Sequence, residues 1–343
     1  QYAKLMSFYL RRYVAMKKWK KVIASVLVLS MLGLATACGG SKGAASSGGG
    51  STSSSVAMAL PGLITDEAFN QFTYEGMKKA ADEGGFKCVY KENVSQDEQV
   101  EILRQFAQSG YSIVIGDGGQ FGESLATVAK EFPDTKFVFA VGTETYDLPN
   151  LTAATISYSE AGFIAGVLAG LTTKSNKVAF ITGEFYDPHR QMEAGFNKGV
   201  AYVNPDIQTT SVTTGDWADT VKAREASLAL ISQGYDVLFP CLDAAGAGVA
   251  AAAQDSEGVK IIGSVADYAK DYGAEDVTIG SVVYAWNTLG YLAAKGELND
   301  GASHVIGLND GGITPVINAD LGEGKATYEK AIEELKSGKI SLN

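Results

Sequence analysis

The sequence predicts an α/β protein of two lobes, each built on a doubly wound parallel sheet. From Val56 onward, short apolar runs rich in β-forming residues alternate with amphipathic segments of helical length, and this alternation is typical of βαβ units. The cycle starts again at Glu160, and residues 56–343 are too many for one ordinary core. We therefore predict lobes at 56–158 and 159–285, with a C-terminal segment, 286–343, that crosses back between them.

The first lobe is predicted to place a helix between each pair of successive strands. Segment 96–108, for example, includes apolar Val100, Leu103 and Phe106 among polar neighbours, as an amphipathic helix does. The predicted strands are 56–60, 86–90, 112–116 and 137–141, and the predicted helices are 69–81, 96–108 and 121–132.

The second lobe repeats the alternation and opens with a helix rich in small residues. Its predicted helices are 160–171, 190–202, 217–233 and 246–254, and its predicted strands are 177–182, 206–213, 236–240, 259–265 and 277–283. Two such sheets predict a ligand in the crevice beyond the carboxyl ends of the strands. Hinges near 156–159 and 284–286 would let the lobes close on it. A strand at 304–308 and a helix at 327–336 are predicted without assignment to a lobe.

The first 55 residues have the form of an export segment. A basic run at 16–21 (MKKWKK) precedes a short apolar core and the sequence LATAC, which ends at Cys38. This arrangement resembles the lipobox of bacterial lipoproteins, and the apolar core is short for a membrane span. We predict a spurious upstream extension at 1–15, a signal peptide at 16–37 and a lipid-anchored flexible tether at 38–55. The alternative is a conventional cleavage site after Ala37.

Composition excludes several classes of function. The chain has 28 Lys and Arg against 39 Asp and Glu, and seven of the basic residues precede Cys38, so the remainder carries 21 against 39, or −18. A nucleic-acid partner is not expected, because phosphate binding relies on Lys and Arg. Cys88 and Cys241 lack metal-ligand spacing, and the chain has only two His; we therefore expect neither a metal site nor another cofactor.

Several ordered segments carry a resemblance to a known family. They are 66–71 (DEAFNQ), 159–166 (SEAGFIAG), 193–199 (EAGFNKG), 233–237 (QGYDV) and 246–249 (GAGV). In this order and spacing they resemble the basic membrane protein family of lipoproteins, which includes purine nucleoside receptors. The resemblance implies a type I periplasmic-binding-protein fold. It also implies capture of a solute, often a nucleoside, for the permease of an ABC importer at the extracytoplasmic face of the cell membrane, without catalysis.

Candidate ligand residues follow the strand ends of both lobes. Asp66 and Asn70 lie between the first strand and the first helix, and the amide of Asn70 offers both a donor and an acceptor to a heterocycle. Phe69 and Trp217 are candidates to stack on a flat ring from the two lobes. The alternative interpretation makes Asp66 a helix cap and Phe69 a core residue.

A second group of candidates rests on acidic residues and a glycine. The Gly-rich segment 116–123 contains Asp117 and Glu123 but lacks the Lys of a phosphate loop. The resemblance aligns Glu123 with an acidic residue that contacts the base, whereas either side chain could instead cap a helix. Asp243 would accept a hydrogen bond from a hydroxyl of the ligand. Gly246 would allow the ligand to approach the backbone closely. Asp267 retains the second of the two carboxylates that the family pattern has at this point in the sequence.

Two positions depart from the family pattern. Val265 replaces the first of the two carboxylates, and Tyr284 replaces a lysine; in relatives these two positions commonly bind the ribose. We therefore expect a ligand without the usual ribose contacts: a free base, a differently held nucleoside, or another small polar ring. Two alternative functions remain: a ligand-sensing module for a membrane signalling partner, and an exported hydrolase that uses carboxylates near Asp66, Asp117 and Glu123. A repressor is disfavoured by the export signal.

Overall fold

Two six-stranded sheets organise the chain. The computed structural model describes residues 55–66 and 68–342, so the predicted export segment and Cys38 lie outside the described residues. The strand order is β11-β5-β4-β3-β1-β2 in the first sheet and β12-β10-β9-β8-β6-β7 in the second. The strands are β1 Ser55–Ala59, β2 Lys87–Lys91, β3 Ile113–Asp117, β4 Lys136–Ala140, β5 Leu151–Ile156, β6 Lys177–Thr182, β7 Gln208–Thr213, β8 Val237–Cys241, β9 Lys260–Val265, β10 Thr278–Tyr284, β11 Ser303–Ile306 and β12 Ile313–Ile317.

Strand pairing is parallel except between β10 and β12. Helices cover the sheets, and the central strands β3, β5 and β8 are buried along their whole length, as parallel strands covered on both faces are. The predicted α/β class with two doubly wound lobes is confirmed. The helices are α1 Phe69–Gly84, α2 Gln99–Gln108, α3 Gly122–Glu131, α4 Tyr158–Thr172, α5 Asp187–Val203, α6 Thr220–Ser232, α7 Gly246–Gln254, α8 Tyr268–Asp271, α9 Trp286–Lys295 and α10 Gly324–Lys336.

The chain passes between the two sheets at three points. Ser157 alone joins β5 to α4, Ala285 alone joins β10 to α9, and residues 307–312 join β11 to β12. The backbone N–H of Ser157 donates to the carbonyl of Ile306 at 3.1 Å, and that of Ala285 donates to the carbonyl of Gly312 at 3.0 Å. The three connections therefore lie side by side.

The first two connections are each followed by a helix that packs closely on its own lobe. Helix α9 lies on α1 in the first lobe, and α4 lies on α5 in the second. A Cβ added at Gly195 would lie 2.1 Å from the carbonyl oxygen of Ser159, and one added at Gly76 would lie 2.0 Å from that of Asn287. Glycine is required at both places because the helix backbones touch.

Most predicted elements match the structure, with a few differences. The predicted strand 177–182 and helix 246–254 are confirmed at both ends. The predicted helix 217–233 begins only at Thr220, because the Asp219 side chain accepts hydrogen bonds from two N–H groups of the first turn. Ser55, assigned above to the tether, is the first residue of β1. Among the described residues, no helix has both the length and the apolar character of a membrane span.

Candidate functional site

A cavity of about 670 Å³ lies between the lobes, lined by residues that follow strands of both sheets. Its walls include the loops after β1, β3 and β4 in the first lobe, and the loops after β6 and β8 and the last residue of β9 in the second. This is the crevice beyond the carboxyl ends of parallel strands, where open α/β folds bind ligands. The volume suits a small organic molecule.

The first-lobe wall is built around Asp66. Its carboxylate accepts hydrogen bonds from the backbone N–H groups of Ala68, Asn70 and Gln71, each at 3.0 Å, and from Nδ2 of Asn70 at 2.7 Å. Oδ1 of Asn70 accepts a hydrogen bond from the N–H of Gly62 at 3.1 Å. Asp66 therefore holds the start of α1 while lining the cavity, so the capping role and a position at the crevice occur together.

Aromatic rings stand on both sides of the cavity. In the first lobe, Phe69 meets Trp286 edge to face, with ring centroids 5.1 Å apart. In the second lobe, Trp217 is parallel to Tyr186 within 13°, and its ring lies 4.8 Å from that of His189. All five line the cavity. A flat ligand between the two groups would meet ring faces and edges from each lobe.

Tyr158 connects the two aromatic groups at the hinge. Its ring lies 5.5 Å from that of His189 and 6.2 Å from that of Trp286. The indole of Trp217 packs directly on the backbone of Gly183, where an added Cβ would lie 2.4 Å from the indole atom Cδ2. The carbonyl of Trp217 also accepts a hydrogen bond from the N–H of Ala245 at 3.1 Å.

Two carboxyl groups at the cleft, one in the wall and one buried beneath it, have raised pKa values. Asp243 lines the cavity, and burial together with the charge of Asp66 raises its pKa to about 7. Asp117, the last residue of β3, is 0 % exposed. Burial raises its pKa well above the ordinary value, and the charges of Asp66 and Asp243 raise it further. The Thr73 hydroxyl hydrogen is donated to the carbonyl of Phe69 at 3.0 Å, and neither carboxylate oxygen of Asp117 has a partner in the described structure.

Positive charge is missing from the cavity wall. Within the described part of the chain, Asp66, Glu184 and Asp243 line the cavity and no Lys or Arg does. His189 also lines it, but burial lowers its pKa to about 4, so the imidazole is neutral at pH 7. The charged side chains that line the cavity are therefore all acidic.

The structure brings together five of the predicted ligand residues: Asp66, Phe69, Asn70, Trp217 and Asp243. Asp117 lies beneath the wall, next to Gly118. The remaining three lie outside the lining. Glu123 is exposed on α3, a Cβ at Gly246 would lie 2.0 Å from the Tyr268 hydroxyl, and Asp267 precedes α8 near the Ser281 hydroxyl, 3.5 Å away.

Both positions that depart from the family pattern do line the cavity. Val265 has φ 68°, and the N–H of Ala266 donates to the carbonyl of Ser264 at 2.7 Å across it. Tyr284 is 3 % exposed, and its hydroxyl donates to the sulfur of Met192 at 3.6 Å. Neither side chain offers a charged group to a sugar.

Several lining residues were not predicted from the sequence. They are Tyr158, Glu184, Tyr186, His189 and Trp286. Tyr158 and Trp286 each stand two residues after a strand that ends at the hinge, and that position is a signal sequence reasoning could have used. No group of three or more His, Cys, Asp or Glu suited to a metal ion occurs in 55–66 and 68–342.

Two known proteins match most of the chain. The chain is 26% identical over 301 residues to the ABC transporter nucleoside-binding protein BmpA of Lactococcus lactis subsp. cremoris, which covers 81% of this chain and 86% of that protein. It is 27% identical over 328 residues to the transcriptional activator protein med of Bacillus subtilis, which covers 93% of this chain and 98% of that protein.

A solved structure shows the same fold. The ABC transporter solute-binding protein from Conexibacter woesei superposes with a TM-score of 0.65 at 24% identity, over 84% of this chain and 98% of that one. Residues 53–340 match the model of the Bmp family, described as ABC transporter substrate-binding protein PnrA-like. The chain therefore belongs to the Bmp family of ABC transporter substrate-binding proteins.

Proposed function

We propose that this protein captures a nucleobase, a nucleoside or a similar small polar ring and delivers it to an ABC importer. The observation that carries the proposal is a cavity of about 670 Å³ with aromatic side chains from both lobes on its walls. Phe69 and Trp286 on one side and Trp217 on the other would enclose a flat ring. The nucleoside-binding name of the Lactococcus lactis relative supports the same ligand class.

The ligand is proposed to be held without the usual ribose contacts. Val265 and the buried Tyr284 line the cavity, and the family resemblance implies that these two positions hold the ribose in relatives. An unpaired sugar hydroxyl would cost about 1–3 kcal/mol, so a free base or a ring bound through its edges fits better. Isothermal titration of the full-length chain with bases and their nucleosides tests this. Tight binding of inosine or guanosine, with no preference for the free base, would contradict it.

Capture is proposed to proceed by closure of the two lobes. The three side-by-side connections at Ser157, Ala285 and 307–312 are the only covalent links that closure must bend within the described chain. Hinges of this kind commonly close around ligands. Small-angle scattering should give a smaller radius of gyration at saturating ligand. An unchanged radius would oppose closure and leave binding itself intact.

The anchor proposal concerns Cys38, outside the described residues. We propose that lipid on this thiol holds the protein at the extracytoplasmic face of the cell membrane. Expression of the full chain with a labelled fatty acid should label the wild type and leave Cys38→Ser unlabelled. Cys88→Ser is the matched control and should label like the wild type. Label on Cys38→Ser would contradict the anchor.

A sensory role is the second candidate, because the Bacillus subtilis relative that spans 93% of this chain is named as a transcriptional activator. Both roles need the same ligand cleft. Co-purification with a permease supports import, and co-purification with a signalling protein supports sensing. Recovery of intact ligand after incubation separates both from the hydrolase alternative.

A further inference from the structure

The cleft has an unbalanced charge, and the inference drawn from it rests on the function proposed above. Asp66 and Asp243 line the cavity from the two lobes, and Glu184 lines it as well. No Lys or Arg of the described chain is among the lining residues. Like charges in a partly buried site repel each other unless a positive charge or a proton lies between them.

Asp117 makes the imbalance more severe. It is 0 % exposed, and neither carboxylate oxygen has a hydrogen-bond partner in residues 55–66 and 68–342. A buried carboxyl group without a partner is costly. Asp117 directly precedes Gly118, which lines the cavity, and burial and the charges of Asp66 and Asp243 raise its pKa.

The aromatic walls are a second, independent observation. Phe69, Tyr158, Tyr186, Trp217 and Trp286 all line the same cavity. Ring faces attract cations through their quadrupole, most strongly for Trp, and sites for quaternary ammonium ligands are commonly lined by several rings. The cavity's aromatic side chains and its acids therefore favour the same kind of ligand.

We propose that the cleft selects a positively charged heterocycle, held between Trp217 and the Phe69–Trp286 pair, with its charge directed toward Asp243. The ligand would then supply the cation that the wall lacks. A ring bearing a quaternary or protonated nitrogen meets this requirement. A neutral ring could accept and donate hydrogen bonds in the cleft but would not balance its acidic groups. An anion would be repelled by those groups.

Two matched ligand pairs test the charge directly. Adenosine and nicotinamide are neutral rings, and 1-methyladenosine and 1-methylnicotinamide carry a positive charge at neutral pH. Isothermal titration of the full-length chain in detergent at pH 7.5 should give, for at least one pair, a dissociation constant roughly tenfold lower for the cation. AMP should not bind. Asp243→Asn should reduce the preference for the cation, whereas Glu225→Gln, on the exposed face of α6, should not.

The outcomes separate this inference from the proposed function. Equal or tighter binding of the neutral member in both pairs overturns the inference, and binding of adenosine in that case leaves the proposed function standing. Binding of 1-methylnicotinamide without either purine supports the inference and overturns the purine assignment. Failure of both cations to bind overturns the inference. An undiminished preference in folded Asp243→Asn also overturns it, with circular dichroism as the folding check.

Discussion

The carboxylate of Glu160 accepts a hydrogen bond from the backbone N–H of Leu308 at 2.7 Å. Glu160 lies in the first turn of α4, just after the first connection between the lobes, and Leu308 lies in the third. A Cβ added at Gly307 would lie 2.6 Å from the same carboxylate. Two of the three connections are thus joined by one side chain.

Removal of this link should loosen the hinge. Glu160→Ala leaves the Leu308 N–H without its charged acceptor, and we expect a loss of about 1–3 kcal/mol in the free energy of unfolding. Glu160→Gln keeps an acceptor oxygen and should lose less. Denaturant titration measures both, with Glu225→Ala as the control. Equal stability of Glu160→Ala and the wild type would show that the hydrogen bond contributes little.

Ligand affinity should depend on the position of Trp217. Trp217→Ala removes a wall of the cavity, and we expect affinity for the best-bound ring to fall roughly tenfold to hundredfold. Gly183→Ala should produce a similar loss while retaining the indole, because its methyl group would lie 2.4 Å from Cδ2. Tyr90→Ala, on strand β2 and 41 % exposed in the wild type, is the control for calorimetry. Unchanged affinity in both cleft variants would exclude Trp217 from binding.

Stability should fall with rising pH because of Asp243. Its pKa is raised from 3.8 to about 7 in the folded chain, so between these values the folded state keeps a proton that the unfolded state has lost. The folded state is then progressively destabilised as pH rises. The charge of Asp243 interacts with five other titratable groups: Asp66, Asp117, Tyr158, Cys241 and Tyr268.

Asp243→Asn should remove this part of the pH dependence. At pH 8 we expect the variant to exceed the wild type by on the order of 2–4 kcal/mol, and the gap should close near pH 4. Thermal unfolding across this range measures the gap. The stability of the variant will still depend on pH through Asp117, because the pKa of that group is also raised. Asp134→Asn, in an exposed loop, should follow the wild type. A gap independent of pH would argue against a titrating Asp243.

The contact between α4 and α5 should not tolerate a methyl group. Gly195→Ala would place Cβ 2.1 Å from the carbonyl oxygen of Ser159, so the helices must separate, at a cost on the order of 3 kcal/mol. Helix propensity alone favours Ala, so the loss would come from packing. Ala194→Gly, at the exposed neighbouring position, should lower the free energy of unfolding by about 1 kcal/mol. Urea titration compares the two, and a stabilised Gly195→Ala would refute the close contact.

The architecture was predictable because most strands are apolar runs between helices of clear periodicity. Strand β5 (LTAATI) was missed, because Thr and Ala give it little apolar contrast although every residue is buried. Strand β12 contains Pro315, which argues against a strand except at a sheet edge, where this one lies. Helix α9 follows β10 with a single intervening residue, so no loop marks its start.

The site was predictable where it follows a recognised strand end. Asp66 and Asp243 follow β1 and β8, which the sequence indicated clearly. Tyr158 was missed together with strand β5, whose carboxyl end would have marked its position. Gly246 lies at a helix start after β8, but its small size serves the ring of Tyr268, and a single sequence does not distinguish that packing from a close approach to ligand.

The tryptophans of the cavity wall make ligand binding detectable by intrinsic fluorescence. The sequence has three tryptophans; Trp217 and Trp286 line the cavity, and Trp19 lies in the predicted signal peptide. After export, all indole emission would therefore originate at the cleft. Quenching or a spectral shift on addition of a compound would then signal occupancy without any attached dye, so unlabelled libraries could be screened by intrinsic fluorescence alone.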